Sequence, residues 1–495
     1  MRRRVRRGDN NTHTKNIQTP RVTLASVQLL HAGVTRFFLI YNAHDTMRRH
    51  ILATAMAITT IAGAAGAHVM IDGKLQGSAI YPGTEHAYQV YVPEQYTGKQ
   101  AACLYVGLDG VLCDAPRVLD SLIAAGKMPV TIGVFLQPGV VKNARGEVVR
   151  YNRSYEFDSP TAVFASFLDR EVLPAIEGTV TPDGRVIKLS GRAQDRAIFG
   201  LSSGGIAAFT AAWHRPWQWG RVFSGVGTFV GMRGGNDLPK MVRKTEPKPI
   251  KVFLQDGTAD AWNALFGHWY EGNRMLASAL DFAGYDVKCD WSDCGHNVTR
   301  ATQIFASVMT WLWQDWPAAI VAGTTRNDML AALLVPGSNW VPGSITGGHA
   351  GPPRHMAVYP DGSLMAKAVP GSNCLQQWVV ENGHVMHGEP FYWLESYGNA
   401  QLHTGGMAYD SKGNLWVVTD AGIQVCDHNG RVRGIVDLPE GLDGDVSNVD
   451  IAILPRAVRL TATGQAYEAA CPTWTREFNV EPPVAGLRPP SQGQG

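Results

Sequence analysis

Three shortages in the sequence each remove a class of function. Its seven cysteines (Cys103, Cys113, Cys289, Cys294, Cys374, Cys426 and Cys471) include no C-x-x-C pair, which argues against a cysteine zinc site. No uncharged apolar run reaches the roughly 20 residues that a membrane-spanning helix needs. Charged residues make up only 17% of the chain, and residues 51–495 hold no dense basic stripe. Ten of the 44 Lys and Arg but only two of the 42 Asp and Glu fall within residues 1–50, so the rest of the chain is mildly acidic. That balance argues against nucleic acid as a partner.

What remains is a 495-residue, 45% hydrophobic chain, long enough for two or three globular domains. "MRRHILATAMAITTIAGAAGA" (47–67) has the three regions of a secretory signal peptide: two arginines, an uncharged and mostly apolar stretch, and the small-residue site Ala65-Gly66-Ala67. Translation is expected to start at Met47, with residues 1–46 an upstream extension and cleavage near Ala67. The alternative is a genuine basic N-terminal extension. The mature chain, from about His68, is expected to be secreted or periplasmic. An oxidising compartment permits disulfides, and Cys289 and Cys294 flank "DWSD" where a bridge could stiffen the loop. Isolated buried thiols are the competing reading.

Between residues 86 and 316, β-rich apolar runs alternate with amphipathic segments. "YQVYV" (88–92), "ACLYVGL" (102–108), "VTIGVFL" (130–136), "RAIFG" (196–200), "RVFSGV" (221–226) and "IKVFLQD" (250–256) read as strands buried on both faces. Segments 116–126, 161–177, 204–214, 273–284 and 301–316 have helical spacing. The alternation predicts an α/β domain over 68–317, a mostly parallel sheet with helices on both faces. Residues 318–353 are rich in Pro and Gly and read as a linker. From 354 to 476, short strands recur around Asp-Gly and Lys-Gly turns, with Met356 and Met407 in like positions 51 residues apart. That period predicts a small all-β, incomplete propeller of about three units. Residues 477–495 read as a disordered tail.

The chemistry concentrates in "AIFGLSSGGIAAFTAAW" (197–213). Gly200-Leu201-Ser202-Ser203-Gly204 fits G-x-S-x-G, and its setting between a strand and a helix is that of an α/β-hydrolase nucleophile elbow. A serine hydroxyl needs a base and an acid that orients it, here in the chain order Ser, Asp, His. His214 ends the helix that follows Ser202, about 18 Å along at 1.5 Å per residue, and is too far to be the base. His268 reads as a surface or cleft residue. His296, after the strand "YDVKCDW" and before the last helix, fits the base. "VFLQDGTADAW" offers Asp256 and Asp260 as the acid; Asp260 lies further out on the loop and is favoured, with Asp256 bracing the turn. Asp293 is a third option. Oxyanion stabilisation needs backbone N–H groups. Ser203 is expected to supply one, and Gly110 or Val111, after the strand 102–108, the other.

These stretches, together with "PGTEHAYQVYVPEQY", "MPVTIGVFLQPG", "NRSYEFDS" and "GHN", resemble the enterochelin esterase-like (esterase D-related) branch of the α/β-hydrolases over residues 75–316. The resemblance implies a serine esterase with Ser202, Asp260 and His296 as triad, no cofactor and no metal. Its substrates would be siderophore, phenolic or carbohydrate-linked carboxylic esters. It also sets "YNRSYEFDS" (151–159) near the cleft, where Arg153 and Glu156 could bind a polar acyl or sugar group or form a structural ion pair. The aromatics Trp213, Trp217, Trp219 and Trp262 could line such a site or simply pack.

"GMAYDSKGNLWVVTDAGIQVCDHNGRVRGI" resembles the senescence marker protein/gluconolactonase-like propellers, lactonases with a divalent metal. In that family an Asp just before the Gly-Met pair is a metal ligand; here the position is Gly405. A metal-dependent sugar lactonase and a non-catalytic ligand-binding protein on a hydrolase scaffold are therefore the alternatives to the esterase.

Overall fold

The computed structural model describes residues 68–346, 353–398, 400–442, 445–463 and 470–489. The leader expected at 47–67, the extension before it and the end of the tail lie outside these residues.

The six strands expected from β-branched and aromatic runs join one sheet with three further strands. They are β1 (Val69–Gln76), β2 (Glu85–Val92), β3 (Cys103–Leu108), β4 (Thr131–Leu136), β5 (Val140–Lys142), β6 (Val148–Tyr151), β7 (Arg196–Leu201), β8 (Arg221–Gly225) and β9 (Lys251–Ala259); β1, β5 and β6 are not among the expected runs. After the two-residue strands β10 (Trp262–Asn263) and β11 (Gly267–His268) comes β12 (Asp286–Gly295), at the sheet edge. The order is β12-β9-β8-β7-β3-β4-β2, with β1 and the β5–β6 hairpin both joined to β2. All neighbours from β12 to β4 are parallel, and β2 is antiparallel to β4. This is the α/β-hydrolase architecture.

Every residue of β3, β4 and β7 is buried, as strands covered on both faces must be. Side-chain alternation splits their residues between two cores. Leu104, Val106 and Leu108 point to the helices Ser203–His214 and Trp269–Phe282, among Phe209, Trp213 and Leu276. Cys103 and Tyr105 point the other way, to Leu119 of the helix Ala115–Ala124 and to Phe305 and Leu312 of Thr299–Trp313.

Of the two readings open for Cys289 and Cys294, the structure has free thiols. They sit on one strand, β12, five residues and about 16 Å apart along an extended chain, beyond the roughly 7 Å Cα separation a disulfide spans.

The C-terminal part forms three four-stranded antiparallel sheets. The first holds β14 (Met356–Val358), β15 (Leu364–Lys367), β16 (Cys374–Glu381) and β17 (His384–Trp393). In the second, β18 (Thr404–Tyr409), β19 (Leu415–Thr419), β20 (Gly422–Cys426) and β21 (Val432–Val436) follow in order. The third joins β22 (Val449–Leu454), β23 (Ala457–Ala462) and β24 (Ala470–Glu477) to β13 (Val341–Thr346). The turn signals have a mechanism: Asp410 Oδ1 accepts the Lys412 and Asn414 N–H groups, and Asp427 Oδ1 those of Asn429 and Arg431.

Two sequence expectations change here. The stretch read as a linker contains β13, which pairs with β24 from Val341↔Thr475 to Thr346↔Ala470, and a helix, Asp328–Leu333, whose first turn is capped by Asn327. The start of the stretch read as a disordered tail is ordered, because Phe478 and Val480 are buried against Leu333, Leu334 and Trp416.

The β-sheets dock on the hydrolase fold through buried polar contacts. Trp213 Nε1 donates to Tyr397 Oη at 2.8 Å, and Lys248 pairs with Asp437 at 2.6 Å. Arg476 grips Glu246 with two bonds of 2.9 and 2.8 Å. Burial pushes the Glu246 carboxyl up despite that partner, so the docked state carries an ion pair that it must keep intact. Removing one partner strands the other: Arg476→Ala is expected to cost about 3–5 kcal/mol, read as a lowered urea midpoint, while Glu246→Gln with Arg476→Met costs less than the single change.

Candidate active site

The site is built at the C-terminal end of the parallel strands. β7 ends at Leu201, the helix Ser203–His214 begins two residues on, and Ser202 makes the turn with φ +58° and ψ −120°. A non-glycine residue pays strain in that region, and such strain concentrates at functional sites. The flanking sequence makes the turn possible: a Cβ at Gly200 would enter the backbone of Gly204, and one at Gly205 would press on the Gly225 carbonyl oxygen. Ser202 N–H is held by Gly225 O at 2.9 Å, which fixes the turn to the end of β8.

The two histidine contacts complete a chain. His296 Nε2 lies 2.8 Å from Ser202 Oγ, and its Nδ1 lies 2.6 Å from Asp260 Oδ1. The sequence picks for nucleophile, base and acid are thus brought together from β7, the end of β12 and the end of β9. The Asp260 side chain is sealed from solvent, and its Oδ1 also accepts the Ala261 N–H. Burial alone would raise its carboxyl, but the hydrogen bonds it receives, from His296 first, hold it below the ordinary carboxylate range. Trp269 packs edge-on against the imidazole at 5.9 Å, and its indole N–H donates to Thr228 Oγ1, 3.4 Å from Ser202 Oγ.

The structure corrects the second oxyanion donor. Gly110 N–H already donates to Leu136 O at 3.1 Å, because the turn after β3 leans on the end of β4. Val111 N–H has no such partner among the described residues, and it follows Asp109 and Gly110, both at positive φ. Ser203 N–H is the first of its helix, without an intrahelical acceptor.

Arg153 and Glu156 are also relocated. Glu156 is fully buried; it accepts from His86 Nε2 at 3.0 Å and from Gly139 N–H at 3.0 Å, so it does not face a substrate. The guanidinium of Arg153 donates to both Asp109 oxygens, at 2.6 and 2.8 Å, and to Ser203 Oγ at 2.9 Å. It therefore ties the loop after β3 to the helix after the nucleophile. Nothing in the sequence marked Asp109 beyond its Asp-Gly pair, and Thr228, Trp269 and Asn273 carried no signal at all.

Of the aromatics, Trp213 and Trp219 are core, whereas Trp262, at the start of β10 and two residues past Asp260, is 68% exposed. His214 is half-buried, with Nε2 on Pro160 O at 2.8 Å. Among the described residues no group of three or more His, Cys, Asp or Glu side chains could hold a metal. At Gly405, a Cβ would press on the carbonyl oxygens of Val446 and Val449, so an acidic ligand has no room there.

Residues 79–299, a little under half of the chain, match the family model described as "Putative esterase". With the fold above, this stretch is an α/β-hydrolase domain that matches an esterase family. No curated protein matches the chain. Similar solved structures include a ferulic acid esterase, 19% identical, aligned over 50% of this chain and 99% of its own, with TM-score 0.39. The enterobactin esterase FES from Shigella flexneri is 20% identical, with TM-score 0.39 and 51% of this chain covered; this chain spans only 60% of it. The Staphylococcus aureus fluorophosphonate-binding serine hydrolase FphF is 13% identical, covering 50% of this chain and 100% of its own, with TM-score 0.35.

The elbow is the site's least tolerant point. Gly200→Ala is expected to destabilise the protein by about 3 kcal/mol, since its neighbour is backbone and cannot swing away. The thermal midpoint checks it.

Proposed function

We infer that the protein is an exported serine carboxylic ester hydrolase working through an acyl-enzyme. The observation that carries this reading is the unbroken chain Ser202–His296–Asp260, at 2.8 and 2.6 Å, on a strained elbow. His296 Nε2 takes the Ser202 proton as Oγ attacks the ester carbonyl carbon. The imidazolium so formed is stabilised by Asp260, whose Oδ1 accepts its Nδ1–H. Charge gathers on the former carbonyl oxygen, and the N–H groups of Ser203 and Val111 are the donors available to it. The imidazolium then protonates the leaving alcohol as the ester bond breaks. Water, deprotonated by His296, releases the acid by the same steps in reverse.

The substrate class we assign is an ester with a flat phenolic, siderophore or sugar-linked group. Trp262, exposed beside the acid loop, and the Tyr270–Trp291 edge contact at 5.9 Å offer aromatic surface suited to such rings. Export follows from the leader at 47–67, and Edman sequencing of the mature protein is expected to start near His68.

The decisive experiment compares wild type with Ser202→Ala, using a short-chain nitrophenyl ester and a fluorophosphonate probe. Ser202→Ala should remove labelling and lower kcat by about 10⁴-fold or more, leaving only oxyanion-hole and binding effects. A folded wild type that neither turns over nor labels would sink the reading.

Arg153 provides a finer test. Arg153→Ala frees both oxyanion segments at once and is expected to lower kcat about 10²-fold with little change in KM. Arg153→Lys should rescue little, because an ammonium cannot make the two-pronged contact with Asp109.

A further inference from the structure

Directly behind the acid lies a second carboxyl that the reaction scheme leaves without a role. Asp256, in β9, is completely buried. Its Oδ1 accepts the Gly257 N–H at 2.7 Å, and its Oδ2 accepts from Asn273 Nδ2 at 2.7 Å. The charge of Asp260 acts on the Asp256 carboxyl from close by. Asp260 Oδ2, the oxygen turned away from His296, is buried and receives no N–H. Two interacting carboxyl groups in a dry site resist being ionised together, which favours a proton on one of them.

The surroundings decide which one. Asp260 faces His296, so its charge is the one stabilised during the reaction. Around Asp256 every other contact is a donor. Asn273 Nδ2 also touches Gly227 O at 2.8 Å and Trp269 O at 3.1 Å, two carbonyls that fix this atom as the amide nitrogen. Asn273 therefore cannot take a proton from Asp256, and neither can the Gly257 N–H. The other titratable groups nearby are His296, across Asp260, and the Cys294 thiol, which packs on Gly257 and accepts from Gln255 Nε2. Among the described residues, no Lys or Arg pairs with Asp256 to hold it ionised.

Resting on the triad reading, we propose that Asp256 is a neutral carboxylic acid whose O–H donates to Asp260 Oδ2, making it a positioning residue for the catalytic acid. Burial, with the charge of Asp260 beside it, pushes the Asp256 carboxyl up to about 9, which agrees with a proton held at neutral pH. The bond satisfies the orphaned oxygen and aims Oδ1 at the imidazole. It also delocalises part of the acid's charge without adding a second negative charge next to His296.

The test is infrared spectroscopy of the full-length protein at pH 7, with kcat/KM–pH profiles for wild type, Asp256→Asn and Asp256→Ala. Wild type should show the C=O stretch of a protonated carboxyl, absent in Asp256→Asn. Asp256→Asn keeps a neutral donor and should leave the acidic limb of the profile in place. Asp256→Ala strands Asp260 Oδ2 and should lower kcat/KM about 10- to 100-fold. An ionised Asp256 would instead give no such band in wild type, and Asp256→Asn, by deleting a negative charge, would move the acidic limb down. Either result overturns the proposal. The infrared band is read on wild type whether or not the variants fold, and it does not depend on Ser202; loss of the triad reading would appear separately, as an active Ser202→Ala.

Discussion

The site depends on one steric constraint: the carbonyl end of β7 and the first turn of the following helix approach too closely for a side chain at position 200. Because Gly200 and Gly204 leave that space empty, Ser202 can take a positive φ and lift its hydroxyl out of the sheet. The same turn leaves the Ser203 N–H facing outward, since the first N–H groups of a helix have no partner within it. One local geometry thus presents the hydroxyl and an anion-stabilising donor together. Its strain is held in place by a bond from Ser202 N–H to β8 and by the buried helix packed behind it.

Around the elbow, the polar groups are arranged in two brackets. On one side Arg153 locks Asp109 and Ser203, so the loop after β3 and the elbow cannot drift apart. His86 and Glu156 anchor the short helix that carries Arg153, in a fully buried contact. On the other side the ends of β9 and β12 bring Asp260 and His296 together, and Asp256 and Asn273 stand behind the acid. Buried charges of this kind are costly when unpaired, so each must find its partner for the fold to close. Stability and positioning are served by the same bonds.

Most of the site's first layer could be read from sequence, because its signals are local. The glycines around Ser202, the strand-end aspartates and the Gly-His before the last helix each announce themselves within ten residues. The strands were readable for a similar reason: β3, β4 and β7 are buried on both faces and therefore continuous in apolar composition. What could not be read depends on partners far apart in the chain. Arg153 meets Asp109 across 44 residues and Glu156 meets His86 across 70, and no spacing rule links them. Gly110 was a reasonable oxyanion donor until Leu136 O arrived from β4 to occupy its N–H. In the same way β13 looked like linker, since "VPGSIT" carries Pro342 and Gly343, which strands disfavour, and it pairs with β24 at the far end of the segment.

The choice between Asp256 and Asp260 shows how the two layers meet. Sequence offered both acids four residues apart, and distance along the loop favoured Asp260. The structure does not discard the other one; it gives the pair unlike surroundings. Asp260 reaches the imidazole through one oxygen and keeps the other buried without a donor, whereas both Asp256 oxygens accept N–H groups. A site with one acid would leave that oxygen bare, and a site with two ionised acids would repel itself. A single shared proton resolves both conflicts, so the residue that brings no new chemistry can still set the orientation and charge of the one that does.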